Sequence, residues 1–269
     1  MKWHSEKKIA IRNVPGFWDR VCSSRSRFLG LDYDGTLAPF HVDPMQAKPL
    51  AGVLDVLHSL VNQNATAVAI ISGRPAAEVL MLLDKLPVTI VGSHGFELWR
   101  PTDNTPVVIQ PSAEQKVGLE KAKEAALQKG YGEKLEYKVA SLAMHTRGLP
   151  AQVASAMEEG ILAAWTGISS FQTLECRRFN GGVEIRCAGR HKGDALSELL
   201  RGQPPGNFPV YVGDDETDED AFRIIRDTGI GIKVGATSAS TAARGFLEDC
   251  AAVKKFLETW VSVTSTLRD

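Results

Sequence analysis

Four short apolar runs without polar alternation punctuate the chain: 28–31 (Phe-Leu-Gly-Leu), 67–71 (Ala-Val-Ala-Ile-Ile), 88–91 (Val-Thr-Ile-Val) and 209–212 (Pro-Val-Tyr-Val). A strand with one wet face alternates, so these runs predict strands of a parallel sheet covered on both faces. Between the first three lie stretches of helical spacing, first Leu50, Val53, Leu54, Leu57, Leu60 and Val61, then Val79, Leu80, Leu82 and Leu83. The order strand, helix, strand, helix, strand predicts a doubly wound, Rossmann-like α/β layer.

The middle of the chain follows a different rhythm. Residues 111–130 predict an exposed helix rich in Ala, Lys and Glu, residues 134–147 one long strand with a wet face, and residues 150–165 a second helix. Two further strands, 170–177 and 182–187, flank Asn180-Gly181, a strong tight-turn signal. Antiparallel strands with helices predict an α+β domain over 111–187, inserted into an α/β core of 28–110 and 188–269 and preceded by an N-terminal segment, 1–27. The α/β pattern resumes with an amphipathic helix over 192–200, spaced by Ala195, Leu196, Leu199 and Leu200.

Composition narrows the function classes. The chain of 269 residues is long enough to bury a sizeable core without disulfides. A formal net charge of −1 leaves no global basic field for nucleic acid or anionic lipid, so any anion must be held locally. Cys22, Cys176, Cys187 and Cys250 are sparse and show no C-x-x-C spacing, which points to a reducing compartment. Residues 1–12 are charged and polar, and nowhere do 18 apolar residues run together, so the expectation is a cytoplasmic protein that engages no membrane.

Each of the four apolar runs ends directly in a polar or glycine-bearing motif: Asp32-Tyr33-Asp34-Gly35-Thr36, Ser72-Gly73-Arg74, Gly92-Ser93-His94-Gly95 and Gly213-Asp214-Asp215. Ligands of open parallel sheets bind at the carboxyl ends of the strands, so the four motifs should converge on one crevice. Asp32 and Asp34, at i and i+2 of an extended segment, point the same way, and Asp214 and Asp215 add carboxylates from another strand. An all-oxygen cluster of this kind needs a hard cation and suits magnesium rather than zinc. An Asp-x-Asp-Gly alone equally fits an Asx turn, and Ser72-Gly73 equally fits a strand-to-helix turn with an N-cap serine.

Asp32-Tyr33-Asp34-Gly35-Thr36-Leu37, Ser72, Lys192 and Gly213-Asp214-Asp215 with Asp218 resemble, in order, the four motifs of the haloacid dehalogenase superfamily. The longer run from Gly213 to Phe222 resembles trehalose-6-phosphate phosphatases in particular, as do Ile71-Ser72-Gly73-Arg74 and Gly92-Ser93-His94-Gly95. The resemblance implies hydrolysis of a phosphorylated disaccharide through an aspartyl-phosphate, with Asp32 as nucleophile, Asp34 as acid and base, and Lys192 completing the catalytic set. It further implies Mg²⁺ held by Asp32, Asp214 and the backbone carbonyl of Asp34. Thr36, Ser72, Gly73 and Lys192 would bind the phosphate, with Asp215 and Asp218 in support. The insert would act as a cap that selects the sugar through His94 on the core and Glu136, Lys138, His145, Arg147 and Glu184. A functional link to a trehalose-phosphate synthase also follows from the resemblance. Two other readings stay open on sequence: a related sugar phosphatase such as one acting on sucrose phosphate, and a catalytically silent sugar-phosphate-binding module.

Overall fold

In the computed structural model, which describes residues 11, 14–169, 173–236 and 240–265, the chain opens with α1 (Phe17–Ser23) and β1 (Ser26–Leu31). It continues through α2 (Val53–Gln63), β2 (Ala67–Ile71), α3 (Ala76–Leu82) and β3 (Thr89–Gly92), then turns back in β4 (Glu97–Trp99) and β5 (Val107–Val108). A second group follows: α4 (Ala113–Gln128), β6 (Leu135–Tyr137), β7 (Ser141–His145), α5 (Ala151–Ser169), β8 (Leu174–Phe179) and β9 (Gly182–Cys187). The last stretch holds α6 (Lys192–Arg201), β10 (Asn207–Gly213), α7 (Glu219–Ile224), β11 (Ile230–Val234), β12 (Gly245–Leu247) and α8 (Cys250–Ser265).

The main sheet has eight strands in the order β12-β11-β10-β1-β2-β3-β4-β5, parallel from β12 to β3 and antiparallel at the β4–β5 edge. Leu29, Leu31, Ile70 and Val212 face an apolar cluster with α1, α2 and α8, whereas Phe28, Ile71, Val91 and Tyr211 face a second one under α6 and α7. Burial on both faces is the reason the strand residues are apolar without alternation. From β1 the chain winds one way to β2 and β3 and later the other way to β10, β11 and β12. The switch point therefore lies at the carboxyl ends of β1 and β10.

The N-terminal helix α1, for which the sequence carried no expectation, buries Phe17, Trp18 and Val21 against α8. Its rings stack into an aromatic cluster, with Phe17 and Trp18 centroids 5.9 and 5.5 Å from Phe256, and Phe256 5.7 Å from Trp260. Such pairs contribute about 0.5–1.5 kcal/mol each beyond the area they bury.

The inserted group forms a four-stranded antiparallel sheet, β6-β7-β9-β8, with α4 and α5 packed on one face through Ala122, Ala126, Ile161 and Trp165. Ser112 starts α4 by a reciprocal capping box with Gln115. Residues 134–147 are not one long strand. The chain reverses at Lys138–Ser141, where the Lys138 N–H donates to the Ser141 carbonyl at 3.0 Å, and β6 pairs with β7, Glu136 opposite Ala143. The reversing residues, Lys138-Val139-Ala140-Ser141, include no Gly, Pro, Asn or Asp, so the sequence gives no local sign of the turn. Residues 170–172 of the strand expected at 170–177 lie outside the described residues, and β8 begins at Leu174. Among the described residues no helix is long and apolar enough to cross a membrane.

Candidate active site

Asp32 directly follows β1, and its N–H donates to the Val212 carbonyl of β10 at 2.9 Å, which locks the two strand ends of the switch point together. Lys192 is the first residue of α6, whose N-cap His191 forms a reciprocal capping box with Asp194. A lysine at a helix N-terminus opposes the macrodipole. Here it is buried, 3% exposed, and its Nζ donates to Asp32 Oδ1 at 2.7 Å and to Asp218 Oδ1 at 2.8 Å. Asp218 also accepts from the Tyr211 hydroxyl at 2.7 Å and, through Oδ2, from the Asp215 N–H at 3.0 Å.

Asp32, Asp214 and Asp218 bring carboxylate oxygens within 4.8 Å of one another. The oxygens of Asp218 are taken up by protein donors, whereas Asp214 Oδ1 is buried with no partner. Burial first, then the charges of Asp32 and Asp218, push Asp214 up to about 9. Burial likewise raises Asp32 to about 7, although Lys192 pulls in the other direction. Burial alone would lower the Lys192 pKa, but the carboxylates of Asp218 and Asp32 outweigh it and leave it raised. Two buried carboxylates that resist ionising, one with an unpaired oxygen, fit a hard divalent cation. Gly35 permits this closeness: its φ is +77°, and a Cβ there would stand 2.1 Å from Asp214 Oδ2.

Asp34, two residues beyond Asp32, is held by both oxygens: Arg74 Nε donates to Oδ2 at 2.6 Å and Nη2 to Oδ1 at 2.8 Å. Ser72 Oγ accepts from the Arg74 N–H at 3.1 Å, so it shapes the turn after β2 while its own hydrogen stays available. The following loop interlocks with that turn. Ser93 and His94 both have positive φ, 49° and 56°, and their N–H groups donate to the carbonyls of Arg74 and Ser72 at 2.7 and 3.1 Å. A Cβ at Gly73 would lie 2.6 Å from the His94 ring, so only glycine lets the imidazole come this close.

Over these strand ends stands the polar face of the inserted sheet. Glu184 is its hub, accepting from Ser141 Oγ at 2.8 Å and Lys138 Nζ at 3.2 Å, with His94 Nε2 2.9 Å away. Burial holds His94 below its usual range, so at neutral pH Lys138 is the charge that keeps Glu184 well below the carboxylate range against its burial. Glu136 lies 2.6 Å from His145 Nε2 and 3.7 Å from Lys138 Nζ. At the rim Arg147 donates to the carbonyls of His41 and Asn180 and stacks over Phe40, 4.9 Å from the ring centroid.

The space between the two sheets is a crevice of about 900 Å³, part of it open to solvent. Its lining includes Asp32, Asp34, Ser72, Gly73, His94, Glu136, Lys138, His145, Arg147, Glu184, Lys192, Asp214 and Asp215. Thr36 and Asp218 do not line it: both are fully buried behind Asp32, Thr36 Oγ1 lying 3.4 Å from Asp32 Oδ2. Arg186, which shares a strand face with Glu184 by its i+2 spacing, also lines it, and Arg74, Thr217, Phe40 and the Arg177-Arg178-Phe179-Asn180 run line it without having been assigned a site role from sequence. Of the unassigned residues only Arg74 carried a signal, its place beside Ser72-Gly73. Seven buried side-chain polar atoms lack a hydrogen-bond partner among the described residues. Five belong to crevice residues: Arg74 Nη1, His94 Nδ1, Arg186 Nη1 and Nη2, and Asp214 Oδ1. Buried polar groups are nearly always satisfied, so this concentration makes the crevice the candidate ligand site.

The family model described as Trehalose-phosphatase matches residues 30–250, a span that holds every strand end just described. The chain belongs to the trehalose-phosphatase family. Among its curated relatives, the Trehalose 6-phosphate phosphatase RA3 of Zea mays is 31% identical over 248 residues, covering 84% of this chain and 67% of that protein. The Bifunctional trehalose-6-phosphate synthase/phosphatase of Thermoproteus tenax is 32% identical over 235 residues, covering 87% of this chain. This family member spans only 32% of the length of the Thermoproteus protein, and also 32% of the UDP-forming Alpha,alpha-trehalose-phosphate synthase B of Dictyostelium discoideum. The fold is that of the C. albicans Trehalose-6-phosphate phosphatase C-terminal domain, with a TM-score of 0.82 and 22% identity over 96% of this chain and 99% of that one.

Proposed function

We propose that the chain is a magnesium-dependent phosphomonoesterase that hydrolyses trehalose 6-phosphate to trehalose and phosphate. The observation that carries the reading is the joining of two unlike surfaces across one crevice. One is a carboxylate cluster with a buried lysine at the switch point, and the other a polar, ion-paired sheet face above it. A silent binding module has no use for the buried Asp32–Lys192–Asp218 arrangement, which costs desolvation and is justified by chemistry at Asp32.

In this reading Asp32 Oδ attacks phosphorus and the ester oxygen leaves, giving an aspartyl-phosphate on Asp32 that water then hydrolyses. The sugar alkoxide is a poor leaving group, so Asp34 protonates it and later takes a proton from the attacking water. Asp34 can do so once it leaves the Arg74 fork and takes up the proton it will donate, and the fork's N–H groups then face the phosphoryl oxygens. Lys192 Nζ, the Ser72 hydroxyl and the Gly73 N–H hold those oxygens, since phosphoryl transfer depends mostly on positioning and charge. Asp32, Asp214 and the backbone carbonyl of Asp34 would hold Mg²⁺, which supplies neutralisation of the transferring phosphoryl charge.

The inserted unit, 111–187, acts as a cap. Glu136, Lys138, His145, Arg147 and Glu184 bind the sugar with His94 from below, and the cap limits solvent access to the reacting group. The synthase-containing names among the relatives support a functional link to a trehalose-phosphate synthase. Four sparse cysteines without C-x-x-C spacing support a cytoplasmic location.

The test is phosphate release from trehalose 6-phosphate, sucrose 6-phosphate, glucose 6-phosphate and p-nitrophenyl phosphate, with Mg²⁺ or EDTA, for the wild type and Asp32→Asn. The expected result is magnesium-dependent preference for trehalose 6-phosphate and loss of turnover in the folded variant. Retention of a tenth of wild-type turnover by Asp32→Asn rules out the nucleophile.

A further inference from the structure

Arg186 occupies β9 two residues after Glu184, so the two side chains share the polar face of the inserted sheet, and both line the crevice. Its side chain is 3% exposed, yet most of its donors are unused. Nε donates to Glu175 Oε1 at 3.0 Å; Nη2 stands 3.0 Å from the same oxygen as an ion pair outside hydrogen-bond geometry, and Nη1 has no partner among the described residues. A buried guanidinium with open terminal nitrogens is costly unless a ligand supplies acceptors.

We propose that Arg186 is a specificity-determining residue that donates to hydroxyl groups of the sugar ring remote from the phosphate. The inference rests on the phosphorylated-disaccharide reading above and adds to it a residue and a role.

Charge balance on the wall selects a neutral ligand over a second anion. Lys138 already faces Glu136 and Glu184, and Arg177 and Arg186 already face Glu175, so none of these three cations is left calling for a second anion. What it offers is unmet N–H groups in a rigid planar fork, and the fork suits adjacent hydroxyl oxygens of a pyranose. The fork is also held in place. Glu175 lies opposite Arg186 in the β8–β9 register and accepts from Arg177 Nε and Nη2 at 3.1 and 3.0 Å, so the carboxylate that anchors Arg186 is itself anchored. A donor fixed before binding loses little freedom on binding, which is how a single arginine comes to discriminate.

The experiment compares Arg186→Lys, which keeps the charge and the ion pair with Glu175 but loses the fork, and Arg186→Gln, which loses both. Each is assayed on trehalose 6-phosphate and p-nitrophenyl phosphate, with thermal melts beside the kinetics. Losing hydrogen bonds from a charged donor should lower kcat/KM for the disaccharide ester at least about tenfold, mainly through KM, with p-nitrophenyl phosphate unchanged. Equal loss on both esters in the folded variants, or no loss on either, overturns the assignment and makes Arg186 a structural partner of Glu175 only. A wild-type enzyme that prefers glucose 6-phosphate to trehalose 6-phosphate would instead refute the disaccharide reading, a failure visible before any variant is made.

Discussion

Replacing Lys192 by Met keeps an unbranched chain of similar length but removes the one cation bonded within a buried group of three carboxylates. In the native protein its Nζ spans Asp32 and Asp218 at 2.7 and 2.8 Å, with Asp214 close by. Breaking a buried pair by deleting one partner typically costs about 3–5 kcal/mol, because the other charge stays buried and uncompensated. At about 2–4 °C of Tm per kcal/mol for chains near this size, the melting point should drop by roughly 6–20 °C at pH 8 in EDTA.

The penalty should depend on pH with a definite sign. Asp32 is pushed up to about 7 even with Lys192 in place, and without the ammonium it rises further. At pH 5 Asp32 and Asp214 are therefore neutral and less charge is stranded, so the variant's deficit should be smaller there than at pH 8. The assay is calorimetry or urea unfolding of both proteins at pH 5 and pH 8, with and without Mg²⁺, beside phosphate release. Turnover should fall by at least about 10²-fold, as for loss of a charge-stabilising donor. A stability loss under about 1 kcal/mol at pH 8, or one that fails to shrink toward pH 5, refutes the view that the lysine neutralises this cluster.

Three other outcomes are expected. In the metal-free wild type, Asp214 is pushed up to about 9 in the folded protein from an ordinary 3.8, so stability should decline as pH rises between these values. Melts in EDTA should show that decline and Mg²⁺ should flatten it; a flat EDTA profile counts against the carboxylate cluster as the cation site. Gly35→Ala places a methyl 2.1 Å from the native Asp214 Oδ2 position and forces a positive φ on alanine, at about 1–2 kcal/mol. Its Mg²⁺ titration of activity should shift at least about tenfold, and an unchanged titration would dissociate Gly35 from Asp214. Glu184→Gln keeps the shape of the hub but removes the charge that Lys138 answers, so kcat/KM for trehalose 6-phosphate should fall about tenfold while p-nitrophenyl phosphate is spared. Parallel loss on both esters would argue against a role in gripping the sugar.

The amino-acid sequence by itself determined the parallel layer and its reactive edge. Runs such as 67–71 and 209–212 are apolar because both sheet faces are covered, and that constraint is written residue by residue in the strand. Asp32, Ser72, Ser93-His94 and Asp214 follow their strands directly, so knowing the strands is enough to place them at one edge of the sheet. Only the tertiary structure decided how the side chains pair, because pairing depends on contacts distant in sequence. Glu136 and His145 are nine apart and would face opposite ways along one strand, yet the reversal at Lys138–Ser141 sets them 2.6 Å apart. Lys192 reads locally as a solvated helix start and becomes a buried cation only because Asp32 and Asp218 arrive from two other strand ends. The Arg74 fork on Asp34, the Glu184–His94 contact between the two sheets and the open nitrogens of Arg186 have no local pattern at all. Hydrophobic burial repeats along an element and so leaves a period in the sequence. A hydrogen bond between two elements is a single event that leaves none.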